Sequence, residues 1–332
     1  MSSLFAWPII LTILVSVIAW RVAGVQAFML TAILIIFEIS LSFDNAIVNA
    51  TVLVKMNQFW QKMFLSIGIV IAVFGVRLVL PVLIVSLTTQ LGINKVVDIA
   101  LNHPDRYSTL LQTTHPAVAA FGGAFLLMIF LTFAFQDKEV MWLRPLEKLL
   151  TKAGKLDQLP TFTTLLVLLG VSQTLSDQHK TTVMIAGILG LATFLAINIF
   201  NHLLTKNQAS NHRSSNLSLF IYLELIDLSF SLDGVIGAFA ISNNIFIIAT
   251  GLGVGAIWIR SLTLHLVRQK ALQKYIYIEH GAHYAIGALA ILLLMSIEHS
   301  LPEIITGLVG ISFIAAAFIS SLLHNKRSPA LE

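Results

Sequence analysis

Apolar runs long enough to cross a lipid bilayer recur along this chain, and no other property limits its fold as tightly. A crossing helix needs about 20 predominantly apolar residues. Ten stretches fit, at residues 4–20, 28–54, 62–87, 116–135, 161–175, 181–204, 217–240, 245–267, 281–298 and 301–324. The fifth is short and is bounded by Pro160 and a polar SDQHK loop. Only 11% of the 332 residues are charged, against about 25% in a soluble domain. The sequence therefore predicts an all-α polytopic membrane helical bundle of about ten transmembrane helices, with the lipid bilayer as its surroundings. The first apolar run follows MSS with no basic segment before it, so it reads as a retained span rather than a signal peptide.

Basic residues test the doubtful fifth span. With ten helices, one side of the membrane receives fourteen Lys and Arg and the other receives Arg21, Lys95, Arg106 and Lys180. Without the fifth helix the split becomes eight against ten. The positive-inside rule thus favours ten crossings with both termini cytoplasmic, in a bacterial-type inner (plasma) membrane. The basic excess is a topology signal with no interleaved aromatic patch, so nucleic acid is not expected as a partner. The chain contains no cysteine, which excludes disulfides, thiolate metal sites and thiol catalysis.

Two apolar runs carry acids. Residues 37–50 read FEISLSFDNAIVNA and residues 222–235 read YLELIDLSFSLDGV. They align without a gap, from Glu38 to Asn45 against Asp227 to Gly234. Downstream, GIVIAVFGVRL (68–78) matches GLGVGAIWIRS (251–261), each with an Arg nine residues after the first Gly. Further on, AAFGGAFLLMIF resembles HYAIGALAILLL. Helices 2–4 thus correspond to helices 7–9. An odd number of spans separates the copies, which predicts an inverted-topology repeat: residues 1–175 with core 28–135, and residues 176–332 with core 217–298.

Charge inside a membrane demands compensation. An Asp at a helix centre costs on the order of 2.5–3.5 kcal/mol on insertion scales, and the chain places Glu38, Asp44, Glu224, Asp227 and Asp233 inside spans. Arg77 and Arg260 are the intramembrane bases, leaving a formal charge of −3. A divalent cation would reduce this to −1, and protons would neutralise the rest. The competing reading is that protons and the two arginines suffice and the acids are structural. Candidate donors are carboxylates, the Asn45 amide, hydroxyls such as Ser42 and Ser231, and carbonyls. Such hard oxygen ligands suit Mg, Ca or Mn. Glu38, Ser42 and Asn45 share one helical face, as do Glu224, Asp227 and Ser231, while Asp44 and Asp233 lie about 120° away. Either local unwinding brings both acids of a helix to one ion, or an intact helix carries two sites.

The motif Glu38-x-x-Leu41-Ser42-x-Asp44-Asn45 resembles the opening motif of the TerC family of integral membrane proteins, and Glu224-x-x-Asp227-x-x-Phe230-x-x-Asp233 resembles its second acidic motif. Arg77 and Arg260 sit where that family places intramembrane arginines. The resemblance covers helices 2–4 and 7–9 and departs at Gly234, where Ser is common, and in the divergent 136–180 region. It implies a metal-ion transporter, since members are associated with manganese efflux, calcium, or tellurium oxyanion resistance. On this resemblance Glu38, Asp44, Asn45, Glu224, Asp227 and Asp233 would bind the cation as metal ligands, and Arg77 and Arg260 would neutralise or gate the site.

The expected protein is therefore a transporter whose cation is a substrate and not a resident cofactor, with proton coupling available. The alternatives are a non-transporting scaffold or subunit of a metal or tellurite resistance complex, and an intramembrane enzyme. No GxGD, HExxH or GxSxG motif and no Gly-rich phosphate loop occurs, so no catalytic residue is assigned. His202, His265, His280 and His283, near cytoplasmic span ends, are candidates for a proton path or an access site. The sequence leaves the oligomeric state open.

Overall fold

The computed structural model describes residues 2–156, 158–206, 212–242, 244–298, 301 and 303–327. Two side chains named above, those of His202 and Asp233, lie outside the described residues. Among the described residues the regular elements are all helical. The principal helices are α1 (Ser2–Leu41), α2 (Phe43–Leu53), α3 (Gln58–Thr89), α4 (Ile93–Asn102), α5 (Pro104–Phe135) and α6 (Arg144–Ala153). They are followed by α7 (Leu159–Thr174), α8 (Asp177–Lys206), α9 (His212–Ile241), α10 (Ile245–Arg268), α11 (Ile278–Met295) and α12 (Glu303–Arg327).

The helix α1 is two arms joined at a reversal. Ala23 (φ −131°, ψ 15°) and Gly24 (φ 80°, ψ −173°) leave helical geometry. Before the break, Phe5 packs on His265 and Thr12 accepts a hydrogen bond from Trp258 Nε1, so the chain descends along α10. After it, Leu34 meets Gly251 and Glu38 meets Gly255, so the chain ascends. Only glycine readily adopts the Gly24 conformation. Gly24→Ala is expected to cost about 1–3 kcal/mol through backbone strain, because a Cβ there meets nothing within 4 Å. Unfolding of the purified protein in detergent measures that loss.

Among the described residues, seven helices are long and apolar enough to cross a membrane by length and composition: Leu4–Leu41, Gln58–Thr89, Pro104–Phe135, His179–Phe200, Ile245–Arg268, Ile278–Met295 and Gly307–Lys326. Apolar side chains such as Ile10, Ile13, Leu14 and Ile18 face outward from α1 with no protein partner to cover them. A helical bundle with this surface is an integral membrane protein. The expected fifth span is the shorter apolar helix α7, of 16 residues. The expected seventh lies within the 30-residue α9, whose apolar character the acids dilute.

Two segments differ from the expectation. The basic stretch 136–160, between the expected fourth and fifth spans, contains α6, where Pro145 starts a short amphipathic helix and Glu147 accepts the Trp142 and Leu143 N–H groups at its entrance. The fourth span begins well before residue 116, because α5 continues through Pro116.

Helices α5 and α11 form the middle of the bundle, each with 67% of its most apolar stretch buried, against 28% for α3 and 22% for α12. They pack through matched small residues. A Cβ at Gly123 would lie 2.8 Å from Leu294, and one at Gly287 would lie 2.6 Å from Phe130. Under the sequence alignment Gly123 corresponds to Gly287 and Phe130 to Leu294, so the two contacts are exchanged copies of each other. Gly251 of α10 packs on Leu34 of α1, and its aligned counterpart Gly68 of α3 faces Arg260 and Glu224.

Candidate metal-ion site

Glu38 and its aligned counterpart Asp227 each meet the arginine of their own half. Arg77 Nη2 donates to Glu38 Oε1, and its Nη1 donates to the Ala72 carbonyl at 2.7 Å. Arg77 sits in a π-helical stretch of α3, Ile71–Val79. Pro81 explains the widened turn, because it has no N–H for the Arg77 carbonyl and its ring crowds that position. In the other half Arg260 is 1% exposed and donates to both Glu224 oxygens at 2.9 and 2.8 Å, to Asp227 Oδ2 at 2.8 Å and to the Phe64 carbonyl at 3.1 Å. Its guanidinium lies 4.2 Å from the Phe64 ring centre. Glu224 and Asp227, three residues apart on α9, thus face one arginine fork.

Between the halves lies a cavity of about 50 Å³ lined by Glu38, Leu41, Ser42, Asp44, Asn45, Ser229, Phe230, Ser231, Gly234, Leu289, Leu293 and Gly307. At roughly 10–15 Å³ per water centre it has room for a few waters or one partly hydrated ion. An organic substrate would need about 300 Å³ or more.

Each polar group reaches this cavity for a local reason. Gly255 of α10 lets the α1 backbone come close, since a Cβ there would lie 2.5 Å from Glu38 Cβ. Ser42 Oγ donates to the Glu38 Oε1 that Arg77 also holds, at 3.1 Å. Glu38 Oε2 is left facing Gly234, 3.4 Å from where a Cβ would stand. Ser42 also separates α1 from α2, with φ −99° and ψ 13°. The chain leaves helical geometry there, although Ser42 N–H still bonds the Glu38 carbonyl at 3.0 Å. This interruption sets Asp44 in the first turn of α2, where a helix N-terminus favours negative charge. In α9 no such break occurs, and helix is continuous past Gly234.

Asp44 is 2% exposed and has no cationic partner among the described residues. Its Oδ1 accepts the Asn45 N–H at 3.0 Å, and its Oδ2 faces Gly310 of α12. Asn45 Oδ1 and Ser231 Oγ are buried with no hydrogen-bond partner. Ser229 Oγ donates to the Leu225 carbonyl at 2.8 Å, which leaves its lone pairs free. The cavity thus gathers carboxylate, amide and hydroxyl oxygens around unspent acceptor capacity. Unsatisfied buried acceptors call for a bound water or ion.

The structure brings Glu38, Asp44, Asn45, Ser42 and Ser231 together but not Glu224 and Asp227, which are held by Arg260 and do not line the cavity. Asp233 lies outside the described side chains. Among the described residues no three His, Asp or Glu side chains converge as a metal cluster. Glu38, Asp44, Glu224, Asp227 and Asp233 against Arg77 and Arg260 carry a formal charge of −3, which one divalent cation reduces to −1. Sequence reasoning missed Gly307 and Gly310, which let α12 close over Asp44, although the Gly-x-x-Gly spacing was visible.

The fold and this cavity define an integral membrane helical bundle with a buried, oxygen-lined carboxylate pocket between its halves. Residues 43–328 match the family described as Protein of unknown function (DUF475), and the chain belongs to that family. No curated protein matches the chain, and no solved structure does.

Proposed function

We propose that this protein is a membrane transporter of divalent metal cations, specifically a manganese exporter, with the Glu38–Asp44–Asn45 cavity as its ion site. The observation that carries the reading is the Asp44 carboxylate, buried at 2% exposure in an oxygen-lined cavity with no counter-ion among the described residues. An unpaired buried carboxylate is expensive to keep, and a cation in the cavity removes that cost. Arg77 and Arg260 then offset two of the four other acids, Glu38 is shared between Arg77 and the ion, and Glu224 and Asp227 on Arg260 support the site from the side. A divalent cation offsets two of the three excess negative charges, and hard oxygen donors favour Mn, Ca or Mg. Manganese and the direction of export rest on the resemblance to TerC proteins.

Ten crossings accommodate the helices if the two arms of α1 are counted separately, α2 continues the second arm, and α4 and α6 stay near the surface. The exchanged glycine contacts support an inverted repeat, because a pseudo-two-fold relation requires each contact to recur with its partners swapped. With ten crossings both termini would share the basic side, which the positive-inside rule assigns to the cytoplasm of a bacterial-type plasma membrane.

Cation binding to the purified protein tests the reading without flux. Mn²⁺ at 100 times its dissociation constant is expected to stabilise the fold by about 2.7 kcal/mol, measured by unfolding in detergent. Ca²⁺ and Mg²⁺ should compete and Na⁺ should do nothing. Equal stabilisation by Na⁺, or none by any divalent ion, would remove the site.

A further inference from the structure

A second cavity, of about 240 Å³, is lined by Lys55, Thr132, Phe133, Ser218, Tyr222, Glu279 and His283, with further contributions from α5 and α8. We infer that it is an aqueous antechamber that takes a hydrated divalent cation from the basic face of the membrane and passes it to the Asp44 pocket by way of Asn49. This assignment rests on the transporter reading and adds the side of access, a second cation station and a relay residue.

Position is the first argument. Both cavities are lined by the same two helices, α9 and α11, in the same order. On α9 the antechamber takes Ser218 and Tyr222 and the ion pocket takes Ser229, Phe230, Ser231 and Gly234. On α11 the antechamber takes Glu279 and His283 and the pocket takes Leu289 and Leu293. At 1.5 Å per residue, Tyr222 to Ser229 spans about 10 Å and His283 to Leu289 about 9 Å. The two helices agree, so the cavities are stacked along the bundle axis. Lys55, just beyond the C-terminus of α2, marks the same outer level. That level lies next to Lys62, Arg268, Lys270 and Lys274, on the side where the basic residues collect.

Unspent polar groups are the second argument. Ser218 is 1% exposed, lines the antechamber, and its Oγ has no partner. Asn49, on α2 between Asn45 and Lys55, is fully buried, and neither its amide oxygen nor its nitrogen has a partner. It lies one helical turn beyond Asn45 on the same face. A whole unsatisfied amide in an apolar helix is costly, and water or a passing ion supplies what it lacks. At the mouth, His283 stacks on Phe133 with ring centres 3.8 Å apart, and its Nδ1 donates to the Glu279 carbonyl at 2.7 Å. That bond fixes the tautomer and leaves a lone pair on Nε2. The Glu279 carboxylate stands 3.6 Å from Lys55 Nζ, and both are well exposed. A carboxylate and an imidazole nitrogen therefore face an arriving cation, and Lys55 competes with it for Glu279.

The absence of cysteine makes the test direct. Ser218→Cys and Thr132→Cys would each be treated with a charged, membrane-impermeant thiol reagent in inverted and right-side-out vesicles. Both variants should label at least about tenfold faster with the basic face outward, and Mn²⁺ should slow the reaction at Ser218→Cys. Asn49→Leu should keep the fold and the labelling of the Thr132→Cys background but lower Mn²⁺ uptake at least about tenfold. Failure of both cysteines to label in protein that migrates as a folded species overturns the antechamber, as does wild-type uptake by Asn49→Leu. Labelling does not depend on flux, so the two readings fail separately. Intact metal uptake without labelling defeats the antechamber alone, whereas labelling in a protein that moves no metal defeats the transporter reading and the cation path with it.

Discussion

Arg260→Met is expected to cost about 3–5 kcal/mol of stability, enough to leave little folded protein in the membrane. Arg260 is 1% exposed and holds two carboxylates, Glu224 and Asp227, through three bonds of 2.8–2.9 Å. Methionine fills much of the same space but leaves both acids unpaired in an apolar bundle. Lysine would not restore them, because a single ammonium cannot reproduce the planar fork that meets Glu224 through both oxygens. The loss should be largely reversed in Arg260→Met combined with Glu224→Gln and Asp227→Asn, since replacing a whole buried ion cluster is often neutral while breaking it is not. Unfolding of the three proteins in one detergent decides the matter. A single variant as stable as wild type would mean that the triad is not a structural element.

Asp44→Asn should behave in the opposite way. Its carboxylate has no cationic partner among the described residues, so a neutral side chain of the same shape relieves a buried charge and should leave the metal-free protein at least as stable. What should vanish is the stabilisation by cation, about 2.7 kcal/mol at 100 times the dissociation constant. The wild type and the variant would thus cross over: the variant more stable in chelator, the wild type more stable in Mn²⁺. Unfolding with and without Mn²⁺ measures this in one experiment. Equal stabilisation of both proteins would place the ion elsewhere.

The contrast between these residues explains how much of the site was legible. An acid inside an apolar run stands out by its cost, so Glu38, Asp44, Glu224 and Asp227 were all visible, and the matching Gly-(x)8-Arg segments pointed to Arg77 and Arg260 as their partners. Which acid remained free was not visible. That depends on Glu224 and Asp227 presenting one surface to a single guanidinium while Arg77 is taken up by Glu38 and the Ala72 carbonyl. The approach of α12 through Gly310 joins positions far apart in sequence, and nothing local announces it. The reversal in α1 rests on one glycine within an apolar stretch, yet the expected break between residues 20 and 28 falls on it. The widened turn at Arg77 had a local sign in Pro81, four residues on, whose effect on the ladder is a matter of geometry.

The most direct measurement is Mn²⁺ uptake into inverted membrane vesicles containing wild-type protein or Asp44→Asn, with Ca²⁺, Mg²⁺ and Zn²⁺ as competitors. The account predicts saturable uptake by the wild type, suppressed by the cations that share the site, and uptake at the level of empty vesicles for the variant. Two folded proteins that move Mn²⁺ equally well, or not at all, would contradict it.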